Sequence, residues 1–93
     1  MGLEFEWDED KARINWQKHG VSFDTATLVF KDEERIEIHD EKHSIDEDRY
    51  ITIGLAGEVL FVVYTERKDT IRLISARLAT ARERKLYYGY GEG

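Results

Sequence analysis

Residues 50–77 read YITIGLAGEVLFVVYTERKDTIRLISAR, and they decide the fold because they predict three consecutive β-strands. The middle strand, residues 59–65, is almost continuously apolar, as in a central strand that is covered on both faces. In the first strand isoleucine and leucine alternate with threonine and glycine, and a turn at Ala56-Gly57 follows it. A charged loop over residues 66–69 precedes the third strand. The predicted strands of this antiparallel meander are residues 50–55, 59–65 and 70–77.

Capping residues predict three helices outside this stretch. Their predicted N-caps are Asp8, Ser22 and Thr80, whose side chains can accept hydrogen bonds from the first helical turn. The first helix is expected to run to about His19, because Gly20 is the usual stop signal. Glu83 lies three residues after Thr80, as in a capping box, so a final helix should follow.

Short strands are predicted over residues 3–7 and 35–39, before the meander. The expected fold class is therefore α+β, with N-terminal helices and a C-terminal helix packed on one face of a small antiparallel β-sheet. We expect residues 1–93 to form a single domain, with a frayed tail over residues 89–93. Trp7 and Trp16 are expected in the core.

The composition excludes several classes of protein. The chain has 93 residues, of which 41% are apolar, enough for one folded domain. It has no cysteine, which excludes a disulfide scaffold, a thiolate zinc site and a cysteine nucleophile. Its longest apolar run is too short to cross a bilayer, and no signal-peptide pattern is present. We expect a cytoplasmic protein that does not bind membranes.

The charge is divided unevenly along the chain. Residues 1–50 hold 15 acidic and 7 basic side chains, whereas residues 66–85 hold 7 basic and 3 acidic ones. The net charge of −6 argues against indiscriminate nucleic-acid coating. Together with the lack of a helix-turn-helix pattern, it also argues against a regulator that touches DNA directly. Arg72 and Arg77 stand out because they lie inside a predicted strand.

Metal chemistry is not favoured by the spacing of possible ligands. His39 and His43 are four residues apart, but they lie in a predicted strand and loop rather than on a helix, and His19 is distant in sequence, so we expect no metal and no cofactor. Acid–base cleavage of RNA remains possible, since it needs only a base, an acid and cations that offset charge on the phosphate. The side chains that could fill these roles are Lys18, His19, Glu66, Arg67, Arg72, Arg77 and the tyrosines.

Each candidate also has a purely structural interpretation. Lys18 and His19 can simply complement the negative end of a helix. Glu66 and Arg67 can lie in an exposed charged loop, and the strand arginines can form ion pairs with the acidic half of the chain. If Thr65 pairs with Thr70, Arg72 and Arg77 project from opposite faces of the sheet. A one-residue slip or a bulge near residue 75 would place them on the same face.

Three blocks of sequence resemble the BrnT family of toxins from bacterial type II toxin–antitoxin modules. The resemblance covers nearly the whole chain apart from the glycine-rich tail. The first block is FEWDEDKARIN (5–15) with KHGVSF (18–23), and the second is DRYITIG (48–54). The third is VVYTER (62–67), IRLISAR (71–77) and ATARER (79–84), followed by Tyr87.

This resemblance implies a RelE-like fold and a metal-independent endoribonuclease that acts by general acid–base catalysis. It also implies neutralisation by a BrnA-like antitoxin with a ribbon-helix-helix part, through which alone the chain would reach operator DNA. The candidate catalytic residues within the matched blocks are Arg72, Arg77, His19, Glu66 and Lys18, and the candidate RNA-binding residues are Arg67 and Arg82. The alternative is a non-catalytic interaction module or corepressor that binds the ribbon-helix-helix partner.

Overall fold

The computed structural model describes residues 3–89, and the helices and strands follow the predicted order. The strands are β1 (Glu4–Glu6), β2 (Ile36–His39), β3 (Tyr50–Ala56), β4 (Glu58–Arg67) and β5 (Thr70–Leu78). The helices are α1 (Glu9–His19), α2 (Phe23–Thr27) and α3 (Ala81–Tyr88), and two short 3₁₀ turns span Leu28–Lys31 and Glu41–His43. The tail expected to fray lies outside the described residues from residue 90 onward.

The strands of residues 3–89 form one sheet in the order β1-β5-β4-β3-β2. The three strands predicted from residues 50–77 pair antiparallel, as expected, and β2 adds antiparallel to β3. β1 differs from the expectation because it pairs parallel to β5, so the sheet is mixed. The α+β fold class is confirmed.

Apolar side chains on both faces of β4 place helices on both faces of the sheet. Leu60, Val62 and Tyr64 join the larger core, against α1, α2 and the 3₁₀ turn that follows. Val59 and the half-buried Phe61 belong to a second cluster, which lies on the face of the sheet that α3 covers. The expectation that all helices share one face was therefore wrong. Since β4 is apolar at successive positions, each of its faces needs a cover.

The predicted caps of all three helices are present. The Asp8 carboxylate accepts hydrogen bonds from the backbone of Asp10 and Lys11, and Gly20 ends α1 with φ +66°. Ser22 caps α2. At α3 the Thr80 hydroxyl and the Glu83 carboxylate form the predicted capping box. No helix within residues 3–89 is long and apolar enough to cross a bilayer.

A β-bulge in β5 settles which faces Arg72 and Arg77 occupy. Tyr64 pairs with Leu73 and Val63 with Ser75, so Ile74 is the extra residue. The pairing also starts two residues further along β4 than assumed, with Arg67 opposite Thr70.

The shift by two residues leaves the face of Arg72 unchanged, and the bulge reverses that of Arg77. Arg72 is opposite Thr65 and Arg77 is opposite Phe61. Thr65 and Phe61 are separated by an even number of residues on β4, so both arginines project from the face that α3 partly covers.

Candidate active site

Arg77 is the most firmly held of the candidate residues. Its Nη1 and Nη2 donate to the two carboxylate oxygens of Glu83, at 2.8 and 3.0 Å, and Nη1 also donates to the carbonyl of Leu78 at 3.1 Å. The guanidinium carbon lies 3.9 Å from the centroid of the Phe61 ring. Within residues 3–89 these contacts leave the Nε–H and one Nη2–H without a partner. That edge of the guanidinium has the two-donor geometry that binds a phosphate.

Glu83 connects the cap of α3 to this arginine. Besides Arg77, it accepts a hydrogen bond from the backbone N–H of Thr80 at 2.9 Å. The hydrogen bond from Arg77 lowers the pKa of the Glu83 carboxyl from its ordinary 4.5, against the opposing effect of partial burial. The expected capping role of Glu83 is confirmed, and the same carboxylate also orients a candidate catalytic group.

Arg72 is held more loosely than Arg77. Its Nη1 donates to Glu6 at 3.2 Å, and Glu6 is its backbone neighbour on β1. The Arg72 and Glu6 side chains are 32% and 41% exposed, which makes this a single, partly solvated contact. Thr65 is opposite Arg72 on β4, and its hydroxyl oxygen is buried without a hydrogen-bond partner in the described part of the chain.

A groove of about 170 Å³ separates α1 from the bulge of β5. We call it the basic groove because Lys11, Lys18 and His19 line its helical side, while Ile74 and Ser75 line its strand side. Ile74 and Ser75 lie between Arg72 and Arg77 on β5. The structure therefore places Lys18 and His19 next to the strand segment that joins the two arginines.

Buried Asn15 holds α1 against β5 at this groove. Its Nδ2 donates to the carbonyls of Val21 and Ala76, at 3.0 and 2.8 Å, and its Oδ1 accepts from the Ala76 N–H at 3.1 Å. The side chain thus pairs with Ala76 much as a neighbouring strand would. Because β1 pairs only with Thr70, Ile71 and Arg72, Asn15 satisfies an edge of β5 that β1 does not reach.

The remaining candidates lie away from the basic groove. Glu66 and Arg67 are exposed at the end of β4, where Arg67 contacts Glu47 at 3.4 Å. Glu66 pairs with buried Ile71, so it projects from the opposite face to Arg72. Arg82 is exposed in the first turn of α3.

The other two histidines form contacts within their own loop. His39 is 3.2 Å from Asp48, and His43 is 2.9 Å from Asp40. Among residues 3–89, no three His, Asp or Glu side chains come together as possible metal ligands.

A second polar cluster lies on the opposite side of the sheet, at the edge near β2. Arg35 contacts Glu37 at 2.6 Å and donates to the buried Thr52 hydroxyl at 2.9 Å. Burial and the nearby Glu37 carboxylate raise the pKa of Tyr64 to about 12. The Tyr64 hydroxyl therefore stays protonated at neutral pH and does not act there as a general base.

Sequence reasoning missed three residues of the site. Lys11 lies seven residues before Lys18, two helical turns away on one face of α1, and this spacing could have identified it. No sequence pattern identified Asn15 as part of the site, since an asparagine inside a helix is ordinarily a surface residue. Ser75 entered the groove only through the bulge.

Comparisons with known proteins agree with this fold. The family model described as ribonuclease toxin, BrnT, of type II toxin–antitoxin system matches residues 7–83. The chain is also similar to the crystal structure of the Brucella abortus ribonuclease toxin, BrnT, with a TM-score of 0.68 and 23% sequence identity. That similarity covers 85% of this chain and 99% of the Brucella chain. No curated protein sequence gives a significant match.

Proposed function

Because this chain belongs to the BrnT family of ribonuclease toxins of type II toxin–antitoxin systems, we propose that it is a metal-independent endoribonuclease acting by general acid–base catalysis. We also propose that residues 1–93 act as one toxin domain in the cytoplasm.

In the proposed reaction the ribose 2′-oxygen attacks the adjacent phosphorus. A base removes the 2′-hydroxyl proton, the bond from phosphorus to the 5′-oxygen breaks, and an acid protonates that oxygen. The products are a 2′,3′-cyclic phosphate and a free 5′-hydroxyl. Arg72 and Arg77 bind the phosphate and offset its growing charge, and Lys18 supports them. His19 is the proposed base, because it lines the basic groove, whereas Glu66 projects from the opposite face to Arg72.

One observation carries the proposal: the bulge puts Arg72 and Arg77 on the same face, on either side of the strand wall of the basic groove. Their partners Thr65 and Phe61 are four residues apart on β4, so the two backbones are about 13 Å apart, at roughly 3.3 Å per residue. The proposal requires both side chains to extend toward a common phosphate across that span. The unpartnered edge of Arg77 supplies two fixed donors for it. Arg67 and Arg82 are proposed to bind flanking RNA, because they are exposed and further from the groove.

The experiment compares variants during induced expression. Arg72→Ala and Arg77→Ala should abolish growth arrest and RNA cleavage while the proteins remain folded by circular dichroism. Arg13→Ala is the matched control, because Arg13 is an exposed arginine of α1 that pairs with Asp10 of the same helix and lies outside β5. Cleavage should persist in EDTA and leave 2′,3′-cyclic phosphate ends. Folded wild-type protein that leaves RNA and growth unchanged would contradict the proposal.

The proposed partner is a BrnA-like antitoxin with a ribbon-helix-helix part, through which the complex reaches operator DNA. Support comes from the family, whose members belong to toxin–antitoxin systems. Operator binding by the complex, but not by the isolated chain, is the expected result in a gel-shift assay. Operator binding by the isolated chain would contradict it.

The carboxylate partners of the arginines favour a second candidate function, a non-catalytic docking module. Arg67, Arg72 and Arg77 each contact a glutamate, so their charges are already partly compensated. This candidate predicts a protein that binds its partner but does not cleave RNA, even when ribosomes are added. Phosphate binding gives an opposite signature: with about four phosphate contacts, a plot of log affinity against log salt should have a slope near −3.

A further inference from the structure

We propose that an apolar groove beside His19 is the docking site for an apolar, acidic segment of the antitoxin. This inference rests on the proposed function, since it takes the antitoxin as the partner. The groove lies between the C-terminal end of α1 and the β3–β4 turn, and its volume is about 240 Å³. We call it the hairpin groove. The side chains that give it its character are Trp16, His19, Val21, Leu60 and Leu78.

The hairpin groove contains large apolar side chains that are exposed and do not pack in the core. Trp16 is 57% exposed and Leu78 is 47% exposed. The expectation that Trp16 lies in the core was therefore wrong, whereas Trp7 is partly buried and packs on the larger core. An exposed tryptophan beside a pocket is typical of the residues that dominate binding energy at protein interfaces.

The apolar surface continues around the β3–β4 turn. A second cavity of about 300 Å³ shares Gly57, Glu58 and Leu78 with the hairpin groove and adds exposed Leu55 and Tyr88. Several neighbouring apolar side chains are thus available to one partner segment. Contiguous exposed patches of this kind mark interaction sites.

The charges around this surface favour an acidic partner. Lys18 and His19 lie at one end, and Arg84 lines the cavity at the other, with Arg82 and Lys85 on the same helix. Glu58 is the one acidic residue among the described lining residues of both cavities. The rest of the chain is strongly acidic, so an acidic segment is attracted here and repelled elsewhere.

Two other occupants fit less well. RNA would place phosphates against an apolar lining that contains Glu58. A second copy of this chain would bring together two molecules that each carry a net charge of −6.

Occupation of the hairpin groove would also cover the proposed catalytic base. His19 lines both the hairpin groove and the basic groove. A segment bound to Trp16 and Leu78 therefore covers the His19 imidazole on the side of the hairpin groove. It also hinders the approach of RNA to His19 from the basic groove. Neutralisation in this arrangement is direct obstruction and needs no change in the toxin fold.

The test measures antitoxin affinity and free ribonuclease activity in the same variants. The probe is the product of a reading frame adjacent to this gene that has a ribbon-helix-helix pattern, immobilised for surface plasmon resonance. Trp16→Ala and Leu78→Ala should each weaken binding by about 30-fold or more, as truncation of an interface hot spot does. Both variants should cleave RNA like the wild type, because neither side chain lines the basic groove. Ile45→Ala is the control, since Ile45 is 85% exposed in a distant loop.

Each outcome decides a separate point. Wild-type affinity in both Trp16→Ala and Leu78→Ala would overturn the docking site and leave the ribonuclease proposal intact. Failure of the wild-type chain to bind the antitoxin would instead overturn the partner assignment made above. A dimer of the isolated chain that Trp16→Ala dissociates would overturn the antitoxin as occupant in favour of a second copy.

Discussion

Replacement of Asn15 by alanine should be among the most destabilising single changes in this protein. Asn15 is buried and makes three hydrogen bonds, all to backbone groups of residues outside α1. Alanine removes them all without lowering helix propensity. At about 1 kcal/mol net for each bond, the free energy of unfolding should fall by about 3 kcal/mol. For a chain of this size that corresponds to a loss in Tm of roughly 12–24 °C.

The assay is urea unfolding followed by tryptophan fluorescence and circular dichroism. Gln17→Ala is the matched control, because it removes an amide from an exposed position of the same helix. Asn15→Asp adds a second comparison: it keeps the oxygen that accepts from Ala76 but loses both donated bonds. If the free energy of unfolding of Asn15→Ala lies within about 0.5 kcal/mol of the Gln17→Ala value, Asn15 does not hold α1 against β5. A difference that small is ordinary for a surface substitution.

Three further substitutions test the packing and electrostatics of the fold. Gly54→Ala should lower the free energy of unfolding by about 1–3 kcal/mol, because the added Cβ would lie 2.7 Å from a valine side-chain carbon; unchanged urea stability would contradict this. Thr65→Val should raise the free energy of unfolding by about 1 kcal/mol, because the lost hydroxyl has no partner within residues 3–89. A variant less stable than the wild type in the same assay would contradict this. Arg77 lowers the pKa of Glu83, so the stabilisation that Glu83 provides is complete above its ordinary 4.5 and is lost as the pH falls through its lowered native value. Acid titration should therefore destabilise wild type more than Glu83→Gln, with exposed Glu66→Gln as control; equal acid sensitivity of wild type and Glu83→Gln would contradict the pairing.

Local signals predicted the helices and the antiparallel strands well. Side chains at Asp8, Ser22 and Thr80 cap the three helices, and these contacts span at most three residues. The alternation and the apolar run of residues 50–77 likewise reflect the pleat of each strand. These features depend on neighbours in sequence, so the sequence contains the information needed to predict them.

Features that depend on residues distant in sequence could not be predicted from such local patterns. The β4–β5 turn is tighter than the predicted four-residue loop, since Arg67 pairs directly with Thr70, and Lys68 adopts φ +56°. The bulge at Ile74 lies where Asn15 takes over the edge of β5, 59 residues away in sequence. The common face of the two arginines, on which the site depends, follows from that long-range arrangement.

The exposure of Trp16 shows a further limit of pattern reasoning. Ala12 and Trp16 have the i, i+4 spacing of an apolar helix face, but α1 buries only Asn15 fully. Because the buried Asn15 side chain holds α1 against β5, the neighbouring Trp16 side chain can face solvent. Spacing alone does not distinguish a core stripe from a binding surface.

The central claim is that the arginine face beside the basic groove cleaves RNA. Its most direct test is the rate at which purified protein, in EDTA, generates 2′,3′-cyclic phosphate ends on an RNA substrate under single-turnover conditions. We expect cleavage by the wild-type chain and a loss of about 10²-fold or more in folded Arg77→Ala, comparable with the removal of a donor that stabilises transition-state charge. Absence of such ends with the wild type, or an equal rate in the folded variant, would contradict the account.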